Sequence, residues 1–351
     1  MTEDQLYSRQ IYLKEIGNKG QDLLKNSRVL IVGAGGLGHP VGTYLAAGGV
    51  GQITICDFDK VEYSNLNRQV CFTCEDVGKF KSSVLQEALV AQNPFIRVDS
   101  LREKITPDNA KEILAEFDIV VDCCDNFSTK FLLHDCCWLL NKALVQASVY
   151  QYEGQLQVFD YRSLKQARAC LRCLWPKTPD NNCVSNCQQS GIVGAVVGVF
   201  GSMQAMEVIK LITSIGECST NGFTHTINLL NLDMQRVRWS KNSDCPLCSD
   251  HAHITSIDYE NYHELSQFEV LSLNSKNSNI IDIRELDECK TKDFGLKNYP
   301  LSEFDQWVSD LSKQESYTFV CAKGKRSLEL VKKLTAQGYT CKSLYGGLDE
   351  N

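Results

Sequence analysis

The sequence predicts an α/β protein built on a mostly parallel sheet, and three observations carry that prediction. Apolar runs of strand length recur at Arg28-Val-Leu-Ile-Val32, Gln52-Ile-Thr-Ile-Cys56 and Phe117-Asp-Ile-Val-Val121. Helical patterns alternate with them, as crossover helices between parallel strands require. A glycine-rich segment, Gly33-Ala-Gly-Gly-Leu-Gly38, follows the first run directly and opens a helix over His39 to Ala47. Phe80 to Ala91 reads as a further crossover helix. Ile192 to Phe200 is the most apolar stretch, with Gly191, Gly194 and Gly198 at or inside it and Gln204, Glu207 and Lys210 soon after. It falls short of the ~20 apolar residues that a membrane span needs, so a buried helix is expected.

The character of the chain changes over Ser249 to His263, a polar stretch holding His251, His253 and His263. We place a first domain at residues 1–250, a linker at 251–265 and a second, smaller α/β domain at 266–351. In the second, Asn279-Ile-Ile-Asp-Ile283 and Tyr317-Thr-Phe-Val320 read as short buried strands, and Ser327 to Gln337 as an amphipathic helix closed by Gly338. This unit is small for an independent domain and stops at Gly346-Gly-Leu-Asp-Glu-Asn351 without a closing helix, the pattern of an incomplete unit.

The 351 residues are 43% hydrophobic and 23% charged, which excludes disorder and leaves room for two cores. A net charge of −7 argues against nonspecific attraction to nucleic acid or anionic membrane, so no stable binding to either is expected. Seventeen cysteines without an N-terminal apolar signal segment fit a reducing, cytoplasmic setting, where thiols act as metal ligands or nucleophiles.

Gly33, Gly35, Gly36 and Gly38 permit a tight turn and close backbone approach, and the helix that follows offers free N–H groups to a phosphate. Asp57, just past the second strand, can accept hydrogen bonds from a ribose. Taken alone, this pattern fits NAD, or merely a tight turn. The next residues favour a triphosphate. Asp57-Phe-Asp-Lys-Val-Glu-Tyr-Ser-Asn-Leu-Asn-Arg-Gln69 brings Asp59, Asn65 and Arg68, and Lys81 starts the next helix. Attack at an α-phosphate puts negative charge on the phosphoryl oxygens and the departing pyrophosphate, and fixed cations stabilise it. Asp125-Asn126, after the third strand, supplies a carboxylate where Mg²⁺ can bridge phosphate oxygens. Each of these charges taken singly also reads as a solvated surface residue.

From Tyr7-Ser-Arg-Gln-Ile11 to Cys248 the ordered set of motifs resembles the MoeB/ThiF/HesA family of ubiquitin-activating-like adenylyltransferases. The resemblance implies a Rossmann-like adenylation domain in which ATP activates the C-terminal Gly-Gly carboxylate of a ubiquitin-fold sulfur carrier as an acyl-adenylate. It places Gly36 in the nucleotide loop, Asp57 at the ribose, Asn65, Arg68 and Lys81 at the phosphates, Asp125 on Mg²⁺ and Asn126 beside the nucleotide. Arg9 matches an arginine supplied across a dimer interface, so the resemblance also implies a homodimer.

Cys170-Leu-Arg-Cys173 and Cys245-Pro-Leu-Cys248 are two CxxC pairs 71 residues apart, and four thiolates suit a closed, tetrahedral structural zinc. Reduced buried cysteines or a redox pair is the other reading; both pairs fall where the resembled family carries its own. Cys56, Cys123, Cys124, Cys136 and Cys137 sit in apolar patterns and read as small hydrophobes. Cys187, in Asn186-Cys-Gln-Gln-Ser-Gly191, lies between a polar Pro-rich loop and the apolar helix, where a thiol can have a lowered pKa and act as nucleophile. The resemblance adds that this position can form a thioester or acyl disulfide with the carrier. Cys183 competes with it, and a third reading gives neither a role.

Cys321-Ala-Lys-Gly-Lys-Arg-Ser327 joins a buried strand to a helix and places Lys323, Lys325 and Arg326 beside a cysteine, surroundings that stabilise a thiolate or persulfide. With Ile281-Asp-Ile-Arg284, Pro300-Leu-Ser-Glu-Phe304 and Gly346-Gly347, this unit resembles a rhodanese-like sulfurtransferase domain. A degenerate rhodanese acting only as a docking module is the alternative. The expected activity is therefore adenylation coupled to thiocarboxylate formation in a molybdopterin, thiamine or tRNA thiolation pathway, with a cysteine desulfurase as sulfur donor. Adenylation of a peptide or tRNA, an NAD-dependent oxidoreductase, and a noncatalytic scaffold that binds a ubiquitin-fold partner are the competing functions. Arg68, Lys81 and Asp125-Asn126 weigh against the oxidoreductase, and the intact nucleotide motifs against the scaffold.

Overall fold

Arg28–Val32 (β1) and Gln52–Cys56 (β2) occupy the predicted positions, and four of the five residues in each are buried, as continuous apolar strands covered on both faces must be. In this computed structural model residues 2–163, 169–179, 191–218, 222–257, 268–269, 279–291, 293–322, 324–344 and 347–348 are described. The chain divides into two units, Met1–Asn261 and Tyr262–Asn351. Part of the predicted linker and Cys183, Cys187, Lys323 and Gly346 lie outside the described residues.

The first unit opens with α1 (Glu3–Ile11), capped reciprocally by Thr2 and Gln5, and α2 (Gly17–Lys25). After β1 come α3 (Gly38–Ala47), β2, α4 (Lys81–Gln92), β3 (Arg97–Leu101) and α5 (Ala110–Ala115). They are followed by β4 (Ile119–Asp122), α6 (Phe127–Leu140), β5 (Ala143–Tyr150), β6 (Glu153–Asp160) and α7 (Leu171–Leu174). A long helix, α8 (Gly194–Thr213), and the hairpin β7 (Phe223–Asn228) and β8 (Asp233–Arg238) complete the unit. The strands lie in the order β3-β2-β1-β4-β5-β6-β7-β8. The first five pair in parallel and the rest antiparallel. The strand predicted over 117–121 starts and ends later, taking in Asp122.

The order reverses between β1 and β4, so the loops leaving their C-terminal ends part around a crevice. That switch point places Gly33–Leu37 and Cys123–Asn126 opposite each other. Behind them, α8 packs against α3, β5 and β6. It is longer than the apolar stretch suggested, and among the described residues it is the helix long and apolar enough to cross a membrane. In the fold its Val196, Phe200, Gln204 and Val208 are buried in the core with Ile31, Ile55, Val121 and Val145. Each such apolar side chain contributes roughly 1.5–3 kcal/mol on burial. Gln204 donates to the carbonyls of Asp122 at 2.8 Å and Val145 at 3.3 Å, which satisfies its buried amide.

The second unit contains β9 (Phe268–Glu269), β10 (Asn279–Asp282), α9 (Leu286–Thr291), β11 (Lys297–Asn298) and α10 (Phe304–Trp307). It continues with β12 (Ser316–Val320), α11 (Lys325–Ala336) and β13 (Thr340–Leu344). Its sheet is wholly parallel in the order β11-β10-β12-β13-β9. Leu330, Val331 and Leu334 turn one face of α11 onto Ile281, Ile283, Phe319 and Trp307, the i, i+4 spacing that the sequence displays.

Candidate functional site

The glycine loop is shaped by contacts that exclude side chains. Gly33 has φ +102, and a Cβ there would meet the Cys123 carbonyl oxygen at 2.7 Å; one on Gly38 would meet the Gly33 oxygen at 2.2 Å. These two glycines let β1, the loop and α3 close on one another. Above Gly35 the space is open, with only the Gln69 amide nitrogen near, at 4.0 Å from where a Cβ would stand. The buried Gln69 Oε1 has no partner among the described residues. An open backbone cradle with the Gln69 amide N–H donor beside it fits a nucleotide phosphate, while Oε1, an acceptor, calls for a donor such as water or a sugar hydroxyl.

Asp57 follows β2 and is buried. Its Oδ2 accepts the Ala34 N–H and its Oδ1 the Asp59 N–H, both at 2.7 Å. The carboxylate thus stiffens the glycine loop and the following turn together. Burial, then Asp59, pushes the Asp57 carboxyl up to about 6 against the pull of Lys81. Lys81 starts α4 with its side chain nearly buried, and its Nζ lies 3.1 Å from Asp59 Oδ2. Its backbone N–H donates to the Asp59 carbonyl at 2.9 Å.

Asn65 is buried in a short 3-10 turn, where its Oδ1 accepts the Glu62 N–H at 3.0 Å. Arg68 donates from Nη1 to the Ser64 carbonyl at 2.7 Å and to Asn67 Oδ1 at 3.0 Å. The start of α8 buttresses this segment: a Cβ on Gly194 would meet the Asn67 carbonyl oxygen at 2.4 Å, and one on Gly36 would meet Val197 at 2.8 Å. One helix therefore backs both the glycine loop and the Arg68 turn, so the apolar stretch holding Gly194 belongs to the site's scaffold.

Asp125 is exposed on the loop after β4, and Asn126 caps α6 by accepting the Thr129 N–H at 2.8 Å. An exposed carboxylate on this loop is of the kind that could take Mg²⁺, which uses one or two protein carboxylates and completes its shell with phosphate oxygens and water. Arg9 is exposed in the last turn of α1. Sequence reasoning missed what holds the Asp125 loop. Asp122, wholly buried at the end of β4, accepts from Lys130 Nζ and, through Oδ1, from the Cys124 N–H at 2.9 Å. Lys130 also donates to the Ala147 carbonyl at 2.9 Å. A charge closing an apolar strand, with a cation eight residues on, was the available signal. His39 is buried with its Nδ1 accepting the Cys71 N–H at 2.9 Å; burial pulls its pKa down to about 3, so it is a neutral packing residue.

The four cysteines of the CxxC pairs converge. Cys170 Sγ lies 3.8 Å from Cys173 Sγ and 3.5 Å from Cys245 Sγ, Cys173 Sγ lies 3.3 Å from Cys248 Sγ, and all four sulfurs fall within 4.8 Å of one another. Tetrahedral zinc with ~2.3 Å bonds sets sulfurs about 3.8 Å apart, so the donor set fits. Burial pushes the Cys56 and Cys136 thiols up to about 12, in keeping with inert packing residues.

In the second unit Cys321 is buried. Its sulfur accepts the Ser327 N–H at 3.4 Å and lies 3.3 Å from Ser327 Oγ. Gly324, at φ +74, makes the turn into α11. Arg326 is engaged by Glu288 through two bonds of 2.6 and 2.7 Å, so this one of the cations expected beside Cys321 is shared with a carboxylate.

A glycine cradle with a buried carboxylate and a lysine beside it, at the switch point of an open, mostly parallel sheet, defines a nucleotide-binding α/β domain. The chain belongs to the ThiF family, whose profile matches residues 7–247. It is 41% identical over 256 residues to the sulfur carrier protein adenylyltransferase of Thermus thermophilus, a match covering 72% of this chain and 94% of the relative. It is 43% identical over 261 residues to the adenylyltransferase and sulfurtransferase MOCS3 of Culex quinquefasciatus, covering 73% of this chain but only 58% of the relative. MOCS3 of Caenorhabditis briggsae, 37% identical over 314 residues, covers 85% of this chain and 75% of its own, so that match extends past the first unit. Among solved structures, E. coli MccB with ATP aligns at a TM-score of 0.62 and 26% identity, over 71% of this chain and 75% of that one.

Proposed function

We propose that the first unit adenylates the C-terminal glycine of a ubiquitin-fold sulfur carrier with ATP, and that the second unit then delivers sulfur to the activated carboxyl. The observation that supports this reading is the linked set at the switch point: Asp57 accepts the Ala34 N–H of the glycine loop and the Asp59 N–H, Lys81 at the start of α4 pairs with Asp59, and the start of α8 backs both Gly36 and the turn holding Arg68. The adenylyltransferase and sulfurtransferase names of the relatives support both halves. A carboxylate oxygen of the carrier attacks the α-phosphorus, the bond to the β-phosphate oxygen breaks, and pyrophosphate departs with the electron pair. Lys81 and Arg68 stabilise the charge that develops, and Asp57 orients the ribose. Asp125 would hold Mg²⁺, which neutralises phosphate oxygens. Arg9 is assigned to the phosphates of a second copy, which makes the enzyme a homodimer. The four cysteines hold a structural zinc.

In the second step the terminal sulfur of a Cys321 persulfide attacks the acyl carbon and AMP leaves. A second thiol, for which Cys187 is the candidate, then attacks the Cys321 sulfur. This frees the carrier thiocarboxylate and leaves a disulfide to be reduced by an external thiol. The domain reads as rhodanese-like, supplied by a cysteine desulfurase, in a cytoplasmic molybdopterin, thiamine or tRNA thiolation pathway.

The test is ATP–pyrophosphate exchange with candidate carriers ending in Gly-Gly, each paired with a version lacking the last glycine. Exchange that requires the intact tail is expected. ATP binding without exchange on any carrier would transfer the reading to a peptide or RNA substrate.

A pH dependence follows from Asp57. Its carboxyl is raised to about 6 in the free protein, and an ionised carboxylate is the better acceptor for ribose hydroxyls. Binding therefore strengthens as pH rises through 6 and weakens below it, by up to about tenfold between pH 7 and pH 5. Titration of nucleotide affinity by calorimetry checks this. The phosphates of ATP titrate in the same range, so the part due to the protein is the part that Asp57→Asn removes.

A further inference from the structure

The two residues between Cys170 and Cys173 do not face water, as the middle of a surface CxxC turn ordinarily does. Arg172 is 3% exposed, and it donates from Nη2 to Asp135 Oδ2 at 2.7 Å and from Nε to the two carboxylate oxygens at 3.0 and 3.2 Å. Its guanidinium also lies over the Phe131 ring, 4.6 Å from the centroid. Asp135 is wholly buried on α6, in the core of the first unit. The Leu171 backbone N–H donates to His134 Nε2 at 3.0 Å. Since an amide N–H can only donate, the His134 proton sits on Nδ1, which donates to Asp135 Oδ1 at 2.9 Å. Tyr161 places its hydroxyl 2.7 Å from the same Nε2.

Taking a guanidinium and a carboxylate out of water is expensive and is tolerated only when both are fully paired in good geometry. Here that geometry fixes the backbone of the Cys170–Cys173 turn and, through Arg172 Nη1 to the Pro176 carbonyl at 3.4 Å and Thr178 Oγ1 at 3.2 Å, the loop that leaves it. The opposite arm is held differently, by hydrogen bonds among neighbours: Ser249 Oγ donates to the Cys245 carbonyl at 2.7 Å, the Pro246 carbonyl accepts the His253 and Ile254 N–H groups at 3.0 and 2.9 Å, and Trp239 reaches across to the Cys170 carbonyl at 3.4 Å. Outer groups that lock ligand orientation raise the affinity of metal sites, and their loss typically costs 10–100-fold.

We propose that Arg172, Asp135 and His134 are positioning residues of the four-cysteine site. They hold Cys170 and Cys173 in the metal-bound geometry from the side of α6, so that zinc is retained by a preset half-site onto which the Cys245–Cys248 turn closes. This inference rests on the zinc reading given above. It assigns the pair a purpose beyond packing, because an apolar pair of the same volume would fill the space without aiming the two thiols.

The experiment uses the full chain, purified with its zinc, and follows release of the metal to an excess of a chromogenic chelator. Two variants are compared with wild type: Asp135→Asn, and the double replacement Asp135→Leu with Arg172→Met, which removes both charges and keeps an apolar filling. Both are expected to release zinc at least about tenfold faster than wild type. The double variant is expected to do so while melting near the wild-type temperature. If Asp135→Asn does not fold, the double variant carries the comparison. Wild-type release from a folded double variant would reduce the network to charge pairing alone and overturn the proposal. A wild type without zinc would overturn the zinc reading itself and this inference with it; zinc-loaded protein with unchanged release overturns the inference alone.

Discussion

Asp125→Ala is expected to lower carrier-dependent ATP–pyrophosphate exchange by about a hundred- to a thousandfold while leaving the melting temperature near that of wild type. The separation of the two effects comes from where Asp125 stands. It is exposed on the loop after β4, whereas the buried core of that region is held by Asp122 and Lys130. Surface substitutions away from such buried networks usually change stability by no more than about 0.5 kcal/mol. A metal held by one protein carboxylate loses its only fixed anchor when that carboxylate goes, and charge developing on the phosphates is then left to water. Arg68→Ala should lose exchange to a similar degree, with a small stability cost as well, because its Nη1 also ties down Ser64 and Asn67. Exchange by Asp125→Ala at the wild-type rate would show that the magnesium assignment is wrong. An equal fall in exchange and in melting temperature would show that the residue serves the fold.

What the sequence made legible follows from the range of the interactions involved. The strands over 28–32 and 52–56 and the glycine loop are local features, written in consecutive residues and therefore readable. The four-cysteine cluster was readable although its halves are far apart, because thiol pairs at CxxC spacing are rare enough to be matched without a fold. The supports of the site were not readable. Asp122 and Lys130 look like any strand-end acid and helix lysine until the fold buries both. Arg172 looked like filler between two cysteines, and nothing in its neighbours in sequence names Asp135, 37 residues earlier, as its partner. Gly194 read only as an interruption in an apolar run, yet its missing side chain is what lets α8 meet the Asn67 carbonyl. For Arg326, local sequence showed Cys321 as a neighbour but not Glu288, 38 residues earlier, as its ion-pair partner.

Cys321→Ser is expected to leave pyrophosphate exchange at the wild-type rate and to abolish thiocarboxylate formation. Adenylation is assigned wholly to loops of the first unit, so a substitution in the second has no route to it through the reacting atoms. The replacement is nearly isosteric, and the serine hydroxyl can still accept the Ser327 N–H that the sulfur accepts at 3.4 Å. The unit should therefore keep its fold. What the hydroxyl cannot do is carry a second sulfur. The described part of the Cys321 site suits that task. The thiol is 1% exposed and faces Ser327, while the nearby guanidinium of Arg326 is committed to Glu288. Backbone N–H donation and exclusion of water would then help to stabilise the persulfide. Releasing Arg326 by Glu288→Gln should accordingly raise the reactivity of Cys321 toward a sulfur donor, since the freed guanidinium restores positive charge beside it. The measurement is single-turnover persulfide formation by intact mass, with thiocarboxylate on the carrier read in the same reaction. Thiocarboxylate produced by Cys321→Ser at the wild-type rate would assign sulfur delivery elsewhere and leave the second unit a docking module. Loss of exchange together with sulfur transfer would mean that the two steps are coupled through the protein itself.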